Sequence, residues 1–246
     1  MKLSTIAFTL LLGGLLFTAC KDVDPSDPAD VTLHDAFADF DTDNFDIYLD
    51  GSTVVIETNG LPNHTSPYWS ATHPLHVDAT VATGLAPGNI DEFTGSYTLR
   101  VPASPDKANS SSSTGLGAIG IAVSGSVIYN DEEGPNVPLD NAVESLDYTG
   151  AHTGPQSYHY HLEPTAWSTD DDALIGIISD GFFLYGRKCN STGTYPTDLD
   201  ASGGHTSITQ HTADEEYHYH IENELYLNQY YILFPGDYQG TPNDIQ

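Results

Sequence analysis

Cysteine is nearly absent from this chain: its 246 residues hold two, Cys20 and Cys189. A multi-bridge disulfide framework is therefore excluded, and the fold must rest on its core or on bound metal. Basic residues are also scarce. Six Lys and Arg stand against 35 Asp and Glu, a formal net charge of −29. Such a chain has no basic footprint for DNA or RNA and no attraction to anionic lipid. Its acidity favours cations and solubility. No segment carries a long helical period, which argues against a helical fold. A nucleophile elbow, a phosphate loop and an HExxH helix are all missing, which removes the common signatures of serine hydrolases, nucleotide binders and zinc proteases.

What is present begins with "MKLSTIAFTLLLGGLLFTAC", a lysine, a short apolar run and small residues before Cys20. The run is too short for a comfortable membrane span and reads as a secretory signal. "FTAC" resembles the lipobox of bacterial lipoproteins, in which the cysteine is acylated and becomes the mature N-terminus. The expectation is an outer-membrane lipoprotein, periplasmic or cell-surface exposed, that touches the membrane only through lipid on Cys20. Residues 1–20 are then the signal, 21–35 an acidic flexible tether punctuated by Pro25 and Pro28, and 36–246 one domain. With Cys20 lipidated, Cys189 has no intrachain partner. It lies in the polar, turn-like "GRKCNSTG" and reads as incidental.

From residue 52 onward the texture is β. "STVVIETNGLP" is a branched run closed by Asn59-Gly60, and "TGSYTLRVPA" alternates with period two. The acidic "DFDTDNFDIYLD" (39–50) has the alternating aspartates of a calcium loop but places Asn44 where that loop needs glycine, so it reads as the lead-in to a strand. The fold expected is mainly β, a single sandwich or barrel-like domain.

The chain also repeats itself. "IGIAVSGSVIY" (119–129) aligns without gaps on "IGIISDGFFLY" (175–185). "LDYTGAH" (146–152) is followed by "LDASGGH" (199–205), and YHYH occurs at 158–161 and again at 217–220. Three elements recurring in one order predict an internal duplication, with units at about 116–165 and 174–234 and pseudo-twofold halves.

Each YHYH reads as a strand, so His159 and His161 share one face and Tyr158 and Tyr160 the other. His218 and His220 are likewise opposed to Tyr217 and Tyr219. Paired imidazoles on one strand face suit a transition metal, copper or zinc first. Packed about a twofold axis, the four histidines could converge, and His152 and His205 could complete two equivalent sites. Asp147 and Asp200 are candidates to ligate or orient imidazoles from behind. Asp180 is grouped with them, and it stands out as a candidate acid or base because its repeat counterpart is Ser124.

The sequence resembles the YHYH-domain family, on "NGLPNH" (59–64), "LGAIGIAVSG", "LDYTGAH", "GPQSYHYH", "IGIISDGFFLYG", "LDASGGH" and the second YHYH. The resemblance implies a secreted or surface bacterial protein and supplies little mechanism. Three classes stay open. The first is a metal-binding module for structure, capture or transfer. The second is a metal-dependent hydrolase or oxidase, with Asp180, Glu163, Glu216 and Glu222 as candidate acids or bases. The third is a glycan-binding or adhesive domain using Trp69, Tyr148, Trp167 and Tyr195.

Overall fold

Short branched runs closed by glycine turns become strands. The computed structural model describes residues 31–154 and 157–246, so the predicted signal, Cys20 and the tether up to residue 30 lie outside the described residues. Within the rest of that tether, His34 already caps a 3-10 turn (Asp35–Asp39) and pairs with Glu216 at 2.9 Å.

The first sheet is an antiparallel meander of β1 (Phe45–Asp50), β2 (Thr53–Thr58) and β3 (Tyr97–Pro102). Its first strand comes from the acidic stretch weighed as a calcium loop. The carboxylates at its two ends are taken by protein side chains: Asp39 by His211 and Asp50 by Arg100.

The second sheet has eight strands. They are β4 (Gly120–Ala122), β5 (Val127–Ile128), β8 (Ala151–Thr153), β9 (Tyr158–Tyr160), β10 (Leu174–Ile178), β11 (Phe183–Tyr185), β12 (Gly204–Ser207) and β13 (Glu216–His220). A small hairpin of β6 (Glu132–Gly134) and β7 (Val137–Pro138) interrupts the chain between β5 and β8. Among the described residues 29% are strand and 7% helix, so the fold is mainly β, and the large sheet curls into a half-barrel.

Strand order in that sheet is β12-β13-β11-β10-β4-β5-β9-β8. Read outward from the centre, each half pairs antiparallel, then parallel, then antiparallel. The halves meet at β4 and β10, where Ile121 pairs with Ile177, its own repeat counterpart. The glycines beside that pair explain the "IGI" words. A Cβ on Gly176 would lie 2.2 Å from the Ile121 carbonyl oxygen, and one on Gly120 would lie 2.7 Å from that of Ile177. Strand connectivity is thus the same in both halves. That a duplication produced them remains an inference from the sequence.

Both faces of the large sheet are covered, so its strands read as continuous apolar runs. Ile121, Val127, Ile177 and Phe183 pack with Val54, Ile56, Leu99 and Val101 of the first sheet. On the opposite face Ile128, Ile175, Leu184, Tyr158, Tyr160 and Tyr219 pack with Tyr68, Trp69, Leu233 and Phe234. In the YHYH strands the tyrosines join this second core, leaving the histidines on the other face. The predicted alternation is therefore what the fold uses.

Candidate metal centres

β9 and β13 stand one strand from either end of the large sheet, each paired with an edge strand. The registers place His152 opposite His159 and His205 opposite His218. The result is two separate clusters, His152 with His159 and His161, and His205 with His218 and His220. The four YHYH histidines do not converge: the strand order sends the two words to opposite ends of the sheet. His152 and His205 do complete two corresponding triads.

Each imidazole is held from behind. In the first cluster Nδ1 of His159 donates to the Ser157 carbonyl (3.0 Å), and that of His161 donates to the Asn130 carbonyl (2.7 Å). Nδ1 of His152 donates to Ser145 Oγ (2.7 Å), whose own proton goes to the Ala142 carbonyl. In the second cluster His218 donates to the Glu216 carbonyl (3.0 Å), His220 to the Gly186 carbonyl (2.7 Å) and His205 to the Asp198 carboxylate (2.9 Å). A carbonyl or carboxylate accepts only, so Nδ1 carries the proton and Nε2 of the neutral ring is a bare lone pair.

Those bare atoms face one another. The Nε2 atoms of His152 and His159 are 3.0 Å apart, and those of His218 and His220 are 3.1 Å apart. Two unprotonated nitrogens form no hydrogen bond. His161 Nε2 is buried with no hydrogen-bond partner among the described residues. Burial works against protonation as a remedy. It pushes His159 well below the ordinary histidine value, and it holds His161, His218 and His220 down at about 4. A cation is what such a group of lone pairs accommodates. Zinc bonded to imidazole at about 2.0–2.1 Å in a tetrahedron spaces its nitrogens about 3.4 Å apart, close to what is observed.

The two clusters differ in their fourth group, and sequence reasoning passed over both. Cys189 lies within 4.8 Å of all three ligand atoms of the second triad. Its Sγ is 3.5 Å from His205 Nε2 and within 3.3 Å of the Ser191 and Ser207 hydroxyls. Burial raises the thiol's pKa, but those hydroxyls and His205 outweigh it, and the net direction is down. Beside the first triad stands Glu133, with Oε1 3.3 Å from both His152 Nε2 and His161 Nε2. A signal for both was available: continued for four residues past Tyr129 and Tyr185, the gapless repeat aligns Glu133 with Cys189.

The aspartates proposed to orient imidazoles do something else. Asp147 accepts from the Tyr158 hydroxyl (2.7 Å), Ser66 and Thr149, and Asp200 accepts from the Tyr217 hydroxyl (3.0 Å). Asp180 accepts from the Tyr219 hydroxyl (2.5 Å) and from the backbone N–H of Gln239 and Gly240. All three tie down tyrosines on the opposite face, because alternation carries the phenols away from the histidine side. Tyr160 matches this pattern with Ser124 and His64 as partners, at 2.8 and 2.6 Å.

The other candidate acids do not belong to either cluster. Glu163 pairs with buried Arg187, while Glu216 pairs with His34. Glu222 stands outside both clusters. Of the aromatic residues considered for sugar stacking, Trp69 is 4% exposed and stacks on His73, so it offers no face to a glycan.

Residues 98–197 match a family model described as YHYH protein. The matched stretch holds the first triad, Glu133 and Cys189, and it ends before the second YHYH word. Neither a curated protein nor a solved structure matches the chain.

Proposed function

We propose that this chain, a YHYH-family protein over residues 98–197, is a transition-metal-binding protein with two centres per chain. The observation that carries the reading is the facing of bare Nε2 atoms at 3.0 and 3.1 Å, with every Nδ1 anchored by an acceptor. His152, His159 and His161 hold one ion. His205, His218 and His220, with Cys189, hold the other. Copper and zinc fit imidazole and thiolate donors best. The metal serves structure, capture or transfer.

Elemental analysis of protein purified without a histidine tag tests this. Two equivalents of zinc or copper are expected after loading. Clearly substoichiometric metal would reject the reading.

A metal-dependent enzyme is the second reading, favoured by Glu133 beside the first triad. It requires a metal-dependent turnover that falls in Glu133→Gln. The proposal also includes attachment to the outer membrane through lipid on Cys20. Cys20→Ser should then leave the membrane fraction, and unchanged membrane association would count against the anchor.

A further inference from the structure

The repeat alignment that equates the triads also equates Glu133 with Cys189, and the structure gives these two side chains opposite settings. Cys189 is fully buried. Its loop is closed on itself: the Cys189 N–H donates to the Thr194 carbonyl (2.9 Å), and the Gly193 N–H donates back to the Cys189 carbonyl (2.8 Å). Zinc bonded to sulfur at about 2.3 Å and to nitrogen at about 2.0–2.1 Å puts S and N about 3.5 Å apart in a tetrahedron. Sγ and His205 Nε2 are separated by 3.5 Å. Three imidazoles and a thiolate fill four positions.

Glu133 comes from the exposed β6–β7 hairpin, at the point where that ladder's register shifts between Glu132 and Gly134. Such irregularities re-aim a side chain. The carboxylate reaches two Nε2 atoms and keeps 29% of its side-chain surface in solvent. A ligand that leads directly to water can leave, and the position it leaves is accessible.

Resting on the metal-binding reading, we propose that the two centres are unlike in kind. The centre of Cys189, His205, His218 and His220 is closed, with four protein ligands. The centre of His152, His159 and His161 is open. Its fourth position is shared between the Glu133 carboxylate and a small anion from solvent, as a substrate-accepting site requires. Exchange involves no covalent step: the carboxylate dissociates and the anion takes its place.

Cobalt(II) loading with azide as the probe tests this. The full chain should take up two cobalt ions, and one should give a thiolate-to-cobalt charge-transfer band in the near ultraviolet. Azide should shift the visible cobalt bands and leave the charge-transfer band unchanged. Cys189→Ser should lose the charge-transfer band and keep the azide response. Glu133→Gln, lacking the competing carboxylate, should bind azide several-fold more tightly.

Two bound cobalt ions without a charge-transfer band would overturn the closed centre. An azide response that alters the charge-transfer band, or an azide affinity unchanged in Glu133→Gln, would overturn the open one. If Cys189→Ser fails to fold, the unsubstituted chain and Glu133→Gln still decide. Failure to bind cobalt, zinc or copper at all would instead reject the metal reading itself.

Discussion

The two ends of the large sheet hold the same triad and surround it differently. At both ends an edge-strand histidine faces the first histidine of a YHYH word, and the second histidine of that word donates to a carbonyl just past a hairpin strand. Those carbonyls belong to Asn130 and Gly186, counterparts in the repeat. The differences lie in the loops. Glu133 stands where Cys189 does, and Ser145 stands where Asp198 does. Strand register therefore fixes three imidazoles at each end, while short loop segments choose the group that stands beside them and the acceptor behind the edge-strand histidine. A sheet of this kind can keep a ligand set constant and still vary the chemistry.

The largest effect expected is loss of one centre at a time. His159→Ala with His161→Ala should release one metal equivalent, as should His218→Ala with His220→Ala. An ion at 1,000 times its Kd stabilises the fold by about 4 kcal/mol, so zinc-loaded denaturation should show a loss of that order in each. Equal losses would confirm equivalent triads. A loss in the first pair alone would break the comparison and point to the longer approach to the second word, where His205 precedes Tyr217 by 12 residues against 6 from His152 to Tyr158.

Acid should weaken the metal-free protein through both ends alike. Burial depresses His161, His218 and His220 to about 4 and lowers His159 in the same direction. An unfolded histidine titrates near 6.5. Between those values the unfolded chain binds more protons, so stability is full above about pH 6.5 and is lost as pH falls toward 4. Each ring contributes about 1.4 kcal/mol per pH unit in that window, or roughly 3 per YHYH pair. Urea midpoints across the range, compared with each double variant, should show the slope flattening by similar amounts. The same depression moves proton competition with metal below the 6.5 that exposed histidine would suggest. No change in slope in either variant would mean that the rings are hydrated in the folded protein.

The seam between the halves is a smaller but sharper target. Gly176→Ala brings a Cβ within 2.2 Å of a backbone oxygen, and Gly120→Ala within 2.7 Å of another. Forcing backbone apart in a packed core costs about 1–3 kcal/mol. Gly176→Ala should lie at the upper end and Gly120→Ala below it, read from thermal melts of metal-free protein. Both centres should keep their metal, since neither lies at the seam.

Much of this was legible in the chain. Period-two alternation assigned the histidines and tyrosines of both YHYH words to opposite faces, and the Asp-x4-His elements located His152 and His205. What alternation cannot supply is the position of a turn residue. Asp147 and Asp200 precede their strands, and they fold toward the tyrosines. Nor does a local pattern say which ends of a sheet two similar strands occupy. That depends on the β4–β10 pairing, a contact between the repeat units. Cys189 looked incidental because its surroundings are polar. Its place beside the second triad comes from the closed loop, and only the continued repeat alignment hinted at it.

The smallest effect separates the two ends most finely. His205 donates Nδ1–H to the carboxylate of Asp198, whereas His152 donates to the neutral hydroxyl of Ser145. A carboxylate behind an imidazole raises the basicity of the far nitrogen and fixes its tautomer, and removing such a group costs about 10–100-fold in metal affinity. The Asp198 side chain is 70% exposed, so solvent screens it and the loss should sit near tenfold. Asp198→Asn should therefore weaken the second centre about tenfold, roughly 1.4 kcal/mol, and leave the first unchanged. Ser145→Asp should move the first centre the other way. Competition with a chromophoric zinc chelator resolves the two affinities. If Asp198→Asn shifts both equally, the carboxylate acts through net charge on a strongly acidic chain. If it shifts neither, the backbone at both ends already sets the ring, and the difference between the centres lies wholly with Glu133 and Cys189.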